Sequence, residues 1–385
     1  MAWLPRYGKQ WESALIFCYN WSMAMSDARR TVVPTLEDVA RAAGVSRATV
    51  SRVVNGAPNV SADLRRTVQQ AVAAVGYVPN RAARQLITGR SGVIALVMSI
   101  VPEPAGTDSA TDSETRPPAE AQPQDRVFAD PFFGRIVSGV LGFLRSRRLH
   151  PLLMLAEDDA SRTQVLDHLR EGAADGALVV CVDPADPLPG LLAEAGLPAV
   201  LFARPERPLP VRYVDLDHQA GGRLAAERLI AQGRRNVAVI AGPLALHAGR
   251  ARLDGFCDAM ARNGVAYVPY AEGSFTQDSG ERAMRELLER EPRLDGVFAS
   301  NDLMAVGALH VLREEGRRVP QDVAVIGFDD SSAAVSCRPR LTTVRQPVEE
   351  MAAQMAQLLL EQLDDPQARP RAALFDAELV VRASG

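Results

Sequence analysis

Lysine is almost missing from this 385-residue chain: Lys9 is the only one, so nearly all of its 43 basic residues are arginine. The lysine-bearing loop that cradles nucleotide phosphates is therefore absent. Cysteine is scarce too. Cys18, Cys181, Cys257 and Cys337 stand far apart with no metal-ligand spacing, which excludes a zinc framework and suits a reducing compartment. The five histidines are dispersed. Neither G-x-S-x-G nor H-E-x-x-H occurs, so no catalytic constellation is visible and an enzyme is not expected. No cofactor and no metal are expected either. No apolar run is long enough to cross a bilayer, which leaves a cytoplasmic protein without a membrane partner as the expectation. What the chain does have is 47% apolar residues, enough for a globular protein of two or three domains.

Two stretches depart from the rest. The first 24 residues hold Lys9 and all three tryptophans, Trp3, Trp11 and Trp21, whereas the remainder is rich in Arg, Ala and Pro. Residues 1–33 are read as an extension, either disordered or upstream of a true translation start at Met23 or Met25. Arg6 and Lys9 before ALIFCY only faintly suggest an export signal. Residues 102–126, PEPAGTDSATDSETRPPAEAQPQDR, carry Pro, Ala, Ser, Thr and acids without apolar periodicity. They are expected to be a disordered insertion.

Between them, residues 35–86 contain a run of dependent helix signals. Thr35 can cap a first helix with Leu36, Val39, Ala40 and Ala43 on one face, and Gly44 can end it in the left-handed conformation. Ser46 can cap a second helix over 47–54. Its Val50, Val53 and Val54 point inward, leaving Arg47, Ala48, Ser51 and Arg52 outside. Ser61 and Gly76 bracket a third helix over 62–75, with Leu64, Val68, Ala71, Val72 and Val75 on its apolar face. A helix–turn–helix needs this layout, because its second helix shows polar side chains to base edges in the major groove. Between residues 30 and 92 there are nine Arg and three acids, 9 − 3 = +6; the chain carries −4, so the remainder carries −4 − 6 = −10. A basic head on an acidic body suits phosphate contact by the head alone.

The run VARAAGVSRATVSRVVNG followed by YVPNRAARQL resembles the lactose-repressor (LacI/GalR) family of bacterial transcription regulators. The likeness continues through Asp130-Pro131-Phe132-Phe133, VDLDHQAGGRLAAERLIAQGRRNVAVIAGP, ARLDGFCDAM, GVFASNDLMAVGALHVLREEGRRVPQDVAVIGFDD and LTTVRQPVEEMA, in family order. From residue 92, short apolar runs alternate with amphipathic helices, as in βαβ units with parallel sheets. The expected fold is multidomain: an all-α helix–turn–helix headpiece (34–79), a hinge helix and linker (80–91), and an α/β effector-binding core (92–385). The resemblance implies a periplasmic-binding-protein-like core of two parallel-sheet subdomains, about 92–216 with 342–370, and about 217–341 with 371–385. The last strand is read as ALFDAELVV.

The same resemblance implies the site residues. Arg47, Ala48 and Arg52 fall at base-reading positions, where Arg can grip guanine bidentately. Ser46, Thr49, Ser51, Asn55 and Tyr77 suit phosphate contacts, although Ser46 serves equally well as a cap. Asn80 can cap the hinge helix, Arg81 follows within it, and Leu86 matches a minor-groove wedge. In the cleft, Phe132, Phe133, Arg252, Asn301, Asp302 and Asp329 match effector-contacting positions, one of the two phenylalanines being core. Ala203 stands where several sugar-responsive members carry an acid. The expected partners are double-stranded operator DNA, a small-molecule effector and a second copy of the chain. A dimer, not a tetramer, is expected, because no heptad tail follows ALFDAELVV. The expected function is an effector-responsive regulator, a repressor sensing a sugar or sugar derivative. Alternatives are a purine- or nucleoside-responsive regulator, and a solute-binding protein, which would lack residues 35–86 and need an export signal.

Overall fold

The computed structural model describes residues 34–54, 57, 59–77, 89–99, 130–181 and 185–385. Asn55, Asn80, Arg81 and Leu86, the hinge helix and the 102–126 insertion lie outside them. The chain divides into two compact units, the first ending at Gly89 and the second beginning at Arg90.

The first unit is the three-helix head: α1 (Leu36–Ala43), α2 (Arg47–Val54) and α3 (Ala62–Val75). Each end is fixed locally. Thr35 and Asp38 form a reciprocal capping box, Asp38 N donating to Thr35 Oγ1 at 3.4 Å and Thr35 N to Asp38 Oδ2 at 2.9 Å. Gly44 and Gly76 end α1 and α3 at φ 66° and 68°, where a Cβ would be strained. Val39, Val50, Val53 and Val68 are buried together and close the core. Each such side chain contributes about 1.5–3 kcal/mol by leaving water.

The second unit holds two six-stranded sheets. The first contains β1 (Val93–Ser99), β2 (His150–Ala156), β3 (Gly176–Cys181), β4 (Ala199–Phe202), β5 (Arg212–Leu216) and β11 (Ala372–Phe375), in the order β11-β5-β4-β3-β1-β2. The second contains β6 (Val237–Ala241), β7 (Tyr270–Glu272), β8 (Gly296–Ala299), β9 (Ala324–Asp329), β10 (Thr342–Arg345) and β12 (Glu378–Val380), in the order β12-β10-β9-β8-β6-β7. Neighbouring strands are parallel except β10 and β12. Helices cover both faces, so most central strands read as unbroken apolar runs.

The chain changes sheets three times, and two of the changes fall later than the sequence predicts. It first leaves the first sheet after Leu216 and enters α7 (His218–Ala231), which packs on α8 (His247–Arg262). It returns after β10, not before it: Thr342–Arg345 belong to the second sheet, and only α12 (Val348–Asp364) lies against the first. The final change comes after Phe375, not at 371. The single expected strand ALFDAELVV is two strands, one in each sheet. The two strands are separated by only Asp376 and Ala377, too short a break to show in the sequence as a crossing between sheets. The remaining helices are α4 (Pro131–Ser146), α5 (Asp159–Arg170), α6 (Leu188–Glu194), α9 (Gln277–Arg290), α10 (Asp302–Glu314) and α11 (Ser332–Ser336).

Among the helix pairs that approach at glycine, two frame the cleft. A Cβ on Gly139 of α4 would lie 2.3 Å from the Glu349 carbonyl oxygen of α12. A Cβ on Gly222 of α7 would lie 2.0 Å from the Arg252 carbonyl oxygen, and one on Gly255 of α8 would lie 2.0 Å from that of Gln219. Backbone-to-backbone contact at α7 and α8 sets the spacing of the cleft residues described next.

Candidate functional site

On the head, helix α2 presents the side chains that the sequence places outside. Arg47, Ala48 and Arg52 are exposed, while Val50 and Val53 are buried. Ser46 caps the helix, its Oγ accepting from Thr49 N at 3.2 Å and lying 2.9 Å from Thr49 Oγ1. Both hydroxyls are thus partly engaged in holding the turn. Arg47 Nε pairs with Glu37 at 3.1 Å, with both side chains more than half exposed. Such a pair is worth about 0–1 kcal/mol and yields readily to a stronger partner. Arg52 makes no ion pair among the described residues. Ser51 is half-buried, and so is Tyr77, whose ring packs against the head core.

The second cluster gathers at the carboxyl ends of the parallel strands, where open α/β sheets place ligands. Its centre is Arg252, in the second turn of α8 and only 5% exposed. Its Nε donates to His218 Nδ1 at 3.2 Å, Nη1 to the Ser300 carbonyl at 2.5 Å, and Nη2 to Gln346 Oε1 at 3.0 Å. The guanidinium lies 3.7 Å over the Phe328 ring and 3.6 Å from Asp329 Oδ1. Phe275 stands at the other side, 5.9 Å from the guanidinium carbon. His218 therefore comes from the chain after β5, Ser300 from the end of β8, Phe328 and Asp329 from β9, and Gln346 from the end of β10. Burial pushes the Asp329 carboxyl well above the usual carboxylate range, while the Arg252 charge beside it opposes that shift.

Asp329 and Asp330 both adopt the left-handed region, at φ 103° and 52°. For non-glycine residues this costs on the order of 1–3 kcal/mol each, so the surroundings must hold them. Three straps do. Arg135 Nη1 donates to the Asp329 carbonyl at 2.8 Å while its Nε and Nη2 grip Glu349, each at 2.8 Å. Arg382 pairs with Asp330. Asp302 Oδ2 accepts from Ser331 N at 2.7 Å.

Of the six expected cleft residues, the structure brings Arg252 and Asp329 together. Asp302 is 1% exposed and turned inward, its second oxygen accepting from Thr343 Oγ1 at 2.6 Å. Burial raises its carboxyl to about 6 against the pull of those hydrogen bonds. Asn301 caps α10, Oδ1 accepting from Met304 N at 2.9 Å, and its Nδ2 donates to the Phe275 carbonyl at 2.8 Å. Phe133 is packed in the core, and Phe132 is half-buried, edge-on to Phe202 at 5.4 Å. Sequence reasoning missed His218, Gln346, Phe275 and Arg135. His218 and Gln346 carried a usable signal: each follows an apolar strand by one or two residues, at the ligand end of the sheet. A neighbouring cavity of about 400 Å³ is lined by Pro131, Gly134, Arg135, Ser138, Asp330, Ser332 and Glu349. Its charged groups are already paired, Arg135 with Glu349 and Asp330 with Arg382 beyond the lining, so it offers a ligand no uncompensated charge.

The sequence pattern of the bacterial regulatory proteins of the lacI family matches residues 35–80, and that of the periplasmic binding protein-like domain matches residues 226–385. The HTH-type transcriptional regulator CelR of Thermobifida fusca is 42% identical over 91% of this chain and 98% of its own length. The solved structure of a transcriptional regulator CelR–cellobiose complex superposes with a TM-score of 0.67 at 41% identity, covering 91% of this chain and all of that one. The lac repressor dimer bound to operator and the anti-inducer ONPF superposes with a TM-score of 0.73 at 28% identity, covering 91% of this chain and 98% of that one.

Proposed function

The chain belongs to the lacI family of bacterial regulatory proteins, and from that premise we propose that its effector is a neutral β-linked glucose disaccharide of the cellobiose type. The protein is an effector-responsive transcriptional regulator that binds operator DNA through its headpiece. The observation that carries the choice of effector is the 41% identity, across the whole of the other chain, to a regulator solved with cellobiose. The chemistry of the cleft supports it. Three of the five Arg252 N–H groups are already committed to His218, the Ser300 carbonyl and Gln346, and Asp329 lies beside the rest, so the guanidinium cannot give a phosphate the bidentate grip it favours. A ligand of many hydroxyls suits a guanidinium and a carboxylate held side by side, because each hydroxyl can both donate and accept. Asn301 and Asp302 act behind the cleft, holding the Phe275 and Ser331 backbones in place. The effector prefers one closure state of the two sheets, and that preference alters operator affinity.

The test is a thermal-shift screen with cellobiose, ribose and adenosine, followed by operator titration with each. Cellobiose at about a hundred times its Kd should stabilise the core by about 2.7 kcal/mol and raise Tm accordingly. A shift with adenosine and none with cellobiose would establish the nucleoside-responsive reading instead.

On the head, we assign base reading to Arg47 and Arg52. Arg52→Ala is expected to cost about 1–3 kcal/mol in operator binding and to relax preference at one symmetric pair of positions. Binding measured against a panel of single-base operator variants distinguishes this from a phosphate contact, which would weaken all sequences alike.

A further inference from the structure

Arg252 is held by a residue that the family reading does not assign. His218 is the first residue of α7 and is 5% exposed. One ring nitrogen, Nδ1, accepts from Arg252 Nε at 3.2 Å; the other, Nε2, lies 3.5 Å from Asp215 Oδ1 at the end of β5. Asp215 is itself buried, 1% exposed, and Arg204 approaches its second oxygen at 3.4 Å. The polar groups thus form a chain that begins at the exposed Arg204 and runs inward through Asp215, His218 and Arg252 to Asp329. The glycine contacts of α7 and α8 fix its middle. Gly222 is one turn along from His218, and Gly255 is nearly one turn along from Arg252, so backbone contact holds the imidazole against the guanidinium.

We propose that His218 is a positioning residue for effector binding: Asp215 holds it as the neutral tautomer protonated at Nε2, and its bare Nδ1 aims the Arg252 guanidinium. The assignment rests on the cleft being the effector site, as proposed above. The physical logic is a matter of donors and acceptors. Arg252 has only donors, so whatever meets its Nε must accept. A histidine can accept at Nδ1 only if its proton is on Nε2, and a carboxylate facing Nε2 selects that tautomer. An imidazolium would place a donor and a positive charge against the guanidinium. Burial and the Arg252 charge oppose protonation, pulling the ring down to about 4, so it stays neutral at physiological pH. With Nε, one Nη1 hydrogen and one Nη2 hydrogen committed to His218, Ser300 and Gln346, the guanidinium has one orientation. Its two other N–H bonds remain for Asp329 and the ligand.

Two measurements test this. The first is cellobiose titration of wild type, His218→Leu and His218→Gln. Leucine removes the acceptor, whereas the glutamine amide offers an oxygen and an N–H in one planar group, as the neutral ring does. Affinity should fall by about tenfold or more in His218→Leu and return to within about threefold of wild type in His218→Gln. Equal affinities in all three proteins, or a glutamine variant as weak as the leucine one, would overturn the proposal. The second needs neither effector nor a folded leucine variant. Nitrogen NMR of the histidine rings in the full-length protein, with His218 identified by its absence from His218→Gln, should show Nε2 protonated and Nδ1 bare from pH 6 to pH 8 (about the range in which an ordinary histidine titrates). The opposite tautomer, or an imidazolium near pH 6, would overturn it. A wild type blind to cellobiose would count against the effector reading alone, and the tautomer would then decide this proposal.

Discussion

Arg252→Ala is expected to cost the protein its effector response and, in addition, about 3–5 kcal/mol of core stability. The stability loss follows from what the truncation leaves behind. Asp329 stays buried without its counter-charge, and the Ser300 carbonyl and Gln346 side chain lose their donor. Each buried acceptor left without its donor costs about 1–3 kcal/mol, and Asp329, already pushed upward by burial, loses the one neighbour that most favours its ionised form. Two changes separate the effects. Urea unfolding of the apo protein reads the first. Operator titration with and without cellobiose reads the second, which should shift the effector curve about ten- to a hundredfold, the worth of one charged hydrogen bond. Arg252→Ala with wild-type stability would mean that the guanidinium is not the buried strut described above. An unchanged effector curve would move the binding site elsewhere.

Gly255→Ala should damage both stability and effector response from a position that touches no ligand. A methyl group there would sit 2.0 Å from the Gln219 carbonyl oxygen, well inside contact distance, and its neighbour is backbone that cannot rotate aside. Helices α7 and α8 must separate, which costs about 1–3 kcal/mol or more and draws His218 away from Arg252. Gly142→Ala on α4 is the control. It is also a helical glycine, but its added methyl meets nothing within 4 Å. There the expected change is a gain of about 0.4–1 kcal/mol from the stiffer unfolded chain. Chemical denaturation of the two variants side by side measures the contrast. Equal, small effects would show that the helix approach is soft. The two close glycines share one interface, so Gly222→Ala combined with Gly255→Ala should cost less than the sum of the single changes.

Some of this protein is legible one residue at a time. The head is the plainest case. Caps at Thr35, Ser46 and Ser61, left-handed stops at Gly44 and Gly76, and apolar spacing between them are local instructions, and the helix limits follow from them. The outward face of α2 follows as well, because a helix of known limits and known core has only one face left. The alternation of apolar runs and amphipathic helices likewise announces parallel sheets without any knowledge of their neighbours.

The cleft is different, because its members come from β5, α8, β8, β9 and β10 and meet only after the chain has changed sheets. Asn301 and Asp302 were expected in the cleft because they match effector-contacting positions of the family. What the resemblance could not show is the internal work of their side chains, at Phe275, Met304, Ser331 and Thr343. His218 looks like an ordinary helix-start residue until α8 is laid across α7 at two glycines. The sheet changes after Arg345 and Phe375 were also invisible, because a short strand reads the same whichever sheet pairs with it. Sequence by itself determined the head, the strands, the helices and the acidic, arginine-rich character of the whole. Which carboxylate faces Arg252, which is turned inward, and how Asp329 is held in a strained backbone were decided by packing, because hydrogen-bond partners distant in sequence leave no local period to read.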